Sequence, residues 1–111
     1  MLADVAVSVQ DTVVTAQLTG EIDLSNALGM EDAIASATPN HARTVVVDLS
    51  ALDYIDSAGI QLIYQLRERL GVRGQELSLV IPPSSPAADA LRLAGVMDQL
   101  DVFDSLAEAT Q

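Results

Sequence analysis

The chain has 111 residues, half of them apolar, and a net charge of -11 from 16 carboxylates against five arginines, with neither lysine nor cysteine. This predicts a single domain over residues 1–111 with a modest core. It excludes disulfides and thiolate chemistry, lysine-dependent phosphate loops, kinase sites and Schiff bases, and the cationic surface that nucleic acid requires.

Asp4 to Gln10 alternates, with Val5, Val7 and Val9 on one face, as a half-exposed strand does. Asp11-Thr12 turns the chain into a second strand, Val13 to Thr19, which Gly20 is expected to end. Ser25 is the expected cap of a helix reaching about Ala37, with Ala27, Met30, Ile34 and Ala37 as its inner stripe before Pro39. Thr44 to Leu49 is β-branched and continuously apolar up to Asp48, the pattern of a central strand covered on both faces. From Ile60 the positions Ile63, Leu66 and Leu70 mark a second helix, with Gln61, Gln65, Glu68 and Arg69 left to solvent and Gly71 and Gly74 ending it. Leu77 to Ile81 is a further buried strand. Ser85-Pro86 starts a helix with inner residues Ala87, Ala90, Leu91 and Ala94, closed by Gly95. Leu100 to Phe103 is an edge strand, and Ser105 with Glu108 forms a capping box for a short final helix. The expected fold is α/β: a mixed sheet of four to five strands with about four covering helices.

Catalytic arrangements are poorly represented. His41 is the only histidine and stands in a turn-like stretch, with no Gly-x-Ser-x-Gly elbow for it to serve as base. Asp48, Asp53 and Asp56 cluster after the central strand, where carboxylates act as turns and caps more readily than as ligands for a hard cation. No cofactor or metal is expected. Met1-Leu2-Ala3-Asp4 lacks the basic start of a secretory signal, and no apolar run approaches the roughly 20 residues that cross a bilayer. A cytoplasmic protein without direct membrane insertion is the expectation. Ser57 stands out because Asp56-Ser57 begins a helix and Ala58-Gly59 leaves little bulk around the hydroxyl. It serves either as an N-cap or as a phosphoacceptor whose phosphate the helix N-terminus would favour through unpaired amides.

The run Val45-Val46-Val47-Asp48-Leu49-Ser50-Ala51-Leu52-Asp53-Tyr54-Ile55-Asp56-Ser57-Ala58-Gly59-Ile60 resembles the central motif of STAS-domain proteins, in particular the bacterial anti-sigma factor antagonists. Gly20-Glu21-Ile22-Asp23 and Val102-Phe103-Asp104-Ser105-Leu106 resemble flanking stretches of the same family, so the likeness spans nearly the whole chain. It implies a non-enzymatic phospho-switch. The serine of Asp-Ser-x-Gly, here Ser57, would be phosphorylated by an anti-sigma factor that is itself a serine kinase, and a serine phosphatase would reverse it. The unphosphorylated form would bind the anti-sigma factor and free the sigma factor. Asp23, Asp56, Ser57 and Gln61 would form the partner-binding set. Ala58 stands where many relatives have a second serine, which is not the acceptor. A lysine-bearing receiver domain, also short and α/β, does not fit. Two other readings stay open: a non-switching STAS subunit of a larger stress-signalling or membrane-transport assembly, and an enzyme with Ser57 as nucleophile. A switching antagonist would be a monomer or weak dimer; a fixed subunit would carry a large exposed apolar patch.

Overall fold

A computed structural model describes residues 3–110; residues 1, 2 and 111 of the expected domain lie outside the described residues. The chain begins with β1 (Asp4–Gln10) and β2 (Val13–Ile22), paired antiparallel with Gln10 opposite Val13. The two-residue turn between them uses Asp11 at φ 55°, a left-handed backbone that aspartate tolerates better than most residues. Next come α1 (Ala27–Ala37) and β3 (Thr44–Asp48), the latter parallel to β2. β4 (Leu52–Ile55) and α2 (Ser57–Val72) follow, then β5 (Glu76–Val80) and α3 (Pro86–Ala94). A 3-10 turn at Met97–Gln99, β6 (Val102–Phe103) and α4 (Leu106–Ala109) complete it.

The sheet has six strands, ordered β1-β2-β3-β5-β6, with β4 attached to β2 off that path. Val45 and Val47 join the main core with Leu66, Leu70 and Ile34, from α2 and α1. Val46, equally buried, points to the other face, where α4 lies over β5 and β6. That double coverage is why β3 reads as an unbroken apolar run. Arg73 ties α2 to α1 through the Ala35 and Thr38 carbonyls, and Arg69 does so through Glu31 and Asp32. At the Ser85 cap the hydroxyl accepts from the Ala88 amide, and Gly95 closes α3 at φ 72°, as the sequence predicts.

Several expectations are corrected. β2 does not stop at Gly20: the residue takes φ 88° and the register shifts there, but pairing resumes with β4 through Ile22. The sheet therefore has one strand beyond the expected four to five. α1 starts at Ala27 with Asn26 in the cap position, while Ser25 turns its hydroxyl to Asp23. Gly71 lies inside α2, and the chain leaves the helix through Arg73 and Gly74 at φ 73°. In the inner stripes, Ala37 and Ala94 are exposed, and Ala35 and Ala88 are buried in their stead.

Two glycines of α2 have opposite surroundings. A β-carbon on Gly59 would overlap Ile55 Cγ1 and come within 2.8 Å of Ile55 Cδ1 and 3.0 Å of Ile22 Cγ2, whereas one on Gly71 would meet nothing within 4 Å. Overpacking of about 1–3 kcal/mol at Gly59 exceeds the helix-propensity gain of about 1 kcal/mol. Gly59→Ala should accordingly lower the melting temperature by several degrees, and Gly71→Ala should leave it unchanged or raise it. Thermal denaturation of the two variants checks this pair of signs.

Candidate functional site

The site is assembled at the end of β2. Ile22 pairs in register with Ile55, and the Asp56 amide donates to the Ile22 carbonyl at 3.2 Å. The residues that leave these two strands, Asp23 and Asp56, are therefore neighbours at one sheet edge although they are remote in sequence. β4 exists only because β2 continues past Gly20. A β2 ending there would leave Leu52–Ile55 without a partner strand.

Asp56 is the N-cap of α2. Its Oδ1 accepts from the Ala58 amide at 2.9 Å and the Gly59 amide at 3.3 Å. Ser57 is the first helical residue, exposed, with the cap hydrogen bonds made by Asp56 rather than by its hydroxyl. The N-cap reading of Ser57 is thus corrected by one position. So is the expectation of unpaired amides awaiting a phosphate, because the Asp56 carboxylate already occupies two of them. Gln61 lies one turn beyond Ser57 and is exposed, on the same side of the helix.

Asp23 anchors the other half. Its Oδ1 accepts from the Ser25 amide at 2.9 Å and from the Ser25 hydroxyl. Its carbonyl accepts from the Asn26 and Ala27 amides, starting the turn that becomes α1. Asn26 had no role in the sequence reading, yet its side chain accepts from the Asp23 amide at 3.0 Å and donates to the Glu21 carbonyl at 2.9 Å. It clasps the loop from within. The only advance signal was an asparagine three residues after an aspartate in a polar stretch, which many turns share. The Ser25 hydroxyl, then the Ser25 amide, hold the Asp23 carboxyl below its ordinary value of 3.8.

The remaining candidates do not converge here. His41 precedes β3 at the opposite end of the parallel strands, with Nε2 3.1 Å from the Asp11 carbonyl. It is out of reach of Ser57 and cannot serve it as a base. Asp48 closes β3 by accepting from the amide and hydroxyl of Ser50, and Asp53 is exposed on β4. Among the described residues, no group of three or more His, Cys, Asp or Glu side chains could hold a metal ion. No helix is long and apolar enough to cross a membrane, again among the described residues.

The STAS domain family model matches residues 4–109. The chain belongs to the STAS-domain family. It is 35% identical over 96 residues to a putative anti-sigma factor antagonist, BtrV, of Bordetella bronchiseptica, covering 86% of this chain and 81% of that protein. It is 27% identical over 106 residues to the anti-sigma-F factor antagonist RsfB of Mycobacterium tuberculosis, covering 95% and 84%. The crystal structure of an anti-sigma factor antagonist from Mycobacterium paratuberculosis superposes with a TM-score of 0.83 at 24% identity, covering 98% of this chain and 92% of that one. The STAS domain expected from the sequence, and its α/β fold, are thereby established.

Two measurements test the local chemistry of this STAS domain. Asp56→Ala should lower stability by about 1 kcal/mol through loss of the cap, whereas Ser57→Ala should stay within about 0.5 kcal/mol of wild type; urea unfolding separates them. Because the Asp23 carboxyl titrates below its ordinary value, its contribution to stability is present above pH 3.8 and is lost as pH falls through the folded value. Ser25→Ala should move the Asp23 titration midpoint up toward 3.8 in a carboxyl-detected NMR titration.

Proposed function

We propose that this STAS domain is an anti-sigma factor antagonist switched by phosphorylation of Ser57. The observation that carries the reading is the division of labour at the start of α2, where Asp56 caps the helix and leaves the adjacent serine exposed. A kinase can modify such a hydroxyl without dismantling the helix start. The names of BtrV and RsfB support the same reading.

In the unphosphorylated form, Asp23, Asp56, Ser57 and Gln61 meet the anti-sigma factor, and the sigma factor is released. A phosphate adds about -1.5 to -2 charges at neutral pH. The Ala58 and Gly59 amides are already taken by Asp56, so the phosphate is directed outward beside the Asp56 carboxylate instead of settling into the helix end. Its charge therefore falls on the surface the partner must cover, and desolvation and like-charge repulsion weaken binding. The anti-sigma factor is the kinase, a phosphatase restores the active form, and the cycle runs in the cytoplasm, where ATP is available. Apart from Leu24 and Leu28, which lie close in sequence, the exposed large apolar residues are dispersed over several elements, among them Val9 on β1, Val72 on α2 and Leu93 on α3. That distribution favours reversible exchange over a permanent place in a larger assembly. His41, at the far end of the strands, gives an enzymatic reading no base.

Incubation with the cognate anti-sigma kinase and ATP should add one phosphate, mapped to Ser57, and Ser57→Ala should abolish it; undiminished modification of that variant would sink the proposal. Calorimetry should then find the phosphorylated protein binding at least tenfold more weakly than the unmodified form, with an unchanged far-ultraviolet circular dichroism spectrum. Equal affinities would refute the switch, and a collapsed spectrum would refute its local mechanism.

A further inference from the structure

We propose that Leu24 and Leu28 form an apolar anchor beside Ser57, and that the anti-sigma factor receives it in an apolar socket rimmed by arginine or lysine. The inference rests on the antagonist reading and adds to it the chemistry of the partner's surface.

Leu24 is 85% exposed and Leu28 67% exposed. The Ala27 amide donates to the Asp23 carbonyl at 3.0 Å, closing a turn that carries Leu24 directly into the start of α1. Leu24 in that turn and Leu28 in the first turn of the helix are both exposed at the end of α1 that follows Asp23. The core residues of this helix are Ala27, Ile34 and Ala35, and the two leucines, largely exposed, add little to the interior. Gly29 follows Leu28 with open space where a β-carbon would be, which keeps the flank of the pair unobstructed. The pairing of Ile22 with Ile55 brings the Asp23-Leu24 and Asp56-Ser57 segments out of the sheet side by side. Anchor and acceptor thus share one surface.

The surroundings select the partner's charge. Glu21, Asp23, Asp53 and Asp56 belong to the two strand ends and the residues just beyond them. The chain's arginines lie elsewhere: Arg43 precedes β3 at the other end of the sheet, Arg67 and Arg69 belong to the second half of α2, and Arg73 caps its C-terminus. Arg92, late in α3, is held by Asp89 and the Pro83 carbonyl. A second copy of this chain in two-fold contact would set the acidic rim against itself, on a protein of net charge -11. A cationic rim with an apolar centre satisfies both halves of the surface, with the leucines filling the centre, where binding energy concentrates.

The probe is the kinase that modifies Ser57, with affinity measured by calorimetry on Leu24→Ser, Leu28→Ser, the double variant, and Leu93→Ser as control, since Leu93 is 91% exposed on α3. All four should keep wild-type circular dichroism. Each single variant at the anchor should weaken binding roughly tenfold and the double variant about a hundredfold, the control remaining within about twofold, since a lost leucine contact of about 1.5 kcal/mol is about a tenfold change. Wild-type affinity should also fall as sodium chloride is raised from about 50 to about 500 mM. Wild-type affinity in the double variant would overturn the anchor while leaving the antagonist reading intact, and salt-independent binding would overturn the cationic rim. Absence of any wild-type binding, together with an unmodified Ser57, would overturn the antagonist reading and the anchor with it. A wild-type dimer in sedimentation that the double variant abolishes would assign the leucines to a second copy instead.

Discussion

The close approach of the α2 backbone at Gly59 to Ile55 and Ile22 is the constraint on which the functional edge depends. Ile22 and Ile55 are register partners at the ends of β2 and β4, both buried, and the helix begins directly above them. With a side chain at residue 59, either the helix start or the Ile55 and Ile22 side chains beneath it would have to shift, disturbing the level at which the cap, the exposed serine and the Asp23 loop meet. The spacing of Asp56, Ser57 and Gly59 in one short motif thus reflects three physical jobs: closing the helix, presenting a hydroxyl, and letting the helix seat on the strands.

Electrostatics at this edge follows from how the two carboxylates are used. Asp56 is committed to the Ala58 and Gly59 amides, and Asp23 to Ser25, so neither is free to fold back over the serine. Their negative charge remains where it is, at the mouth of the site. The local field is therefore acidic before any modification, and the proposed phosphate would strengthen a sign already present instead of reversing one. Differential affinity of a partner for the two forms needs nothing more elaborate.

Most of the scaffold was legible in the sequence because its elements are governed by local patterns. Alternation in Asp4–Gln10, the valine run before Asp48, and the Ser85-Pro86 start with Gly95 as stop each have one physical reading. The errors fall where tertiary contacts decide. β4 is four residues long and its middle pair, Asp53 and Tyr54, is exposed, so neither period nor composition distinguishes it from a loop. Only the continuation of β2 beyond Gly20 makes it a strand. The cap was misjudged by one residue because aspartate and serine are nearly equal N-cap formers and the choice rests on which backbone is extended; here it is Asp56, at ψ -169°. Likewise, Ser25 lost its expected role because Asp23 offered its hydroxyl a carboxylate at close range. The resemblance to the family motif singled out Ser57, Asp23 and Gln61 as candidates, but the adjacency of the two strand ends is a property of the register alone.

That register also determines what a modifying enzyme can perceive. A linear peptide spanning Asp53 to Gln61 would contain the proposed acceptor but lack Asp23, Leu24 and the loop clasped by Asn26, which arrive from the far side of α1 through the pairing of β2 with β4. The surface around the hydroxyl is thus conformational rather than sequential. Nascent, unfolded or proteolysed chains do not carry it, so a catalyst that grips the whole surface acts only on molecules whose folding is complete.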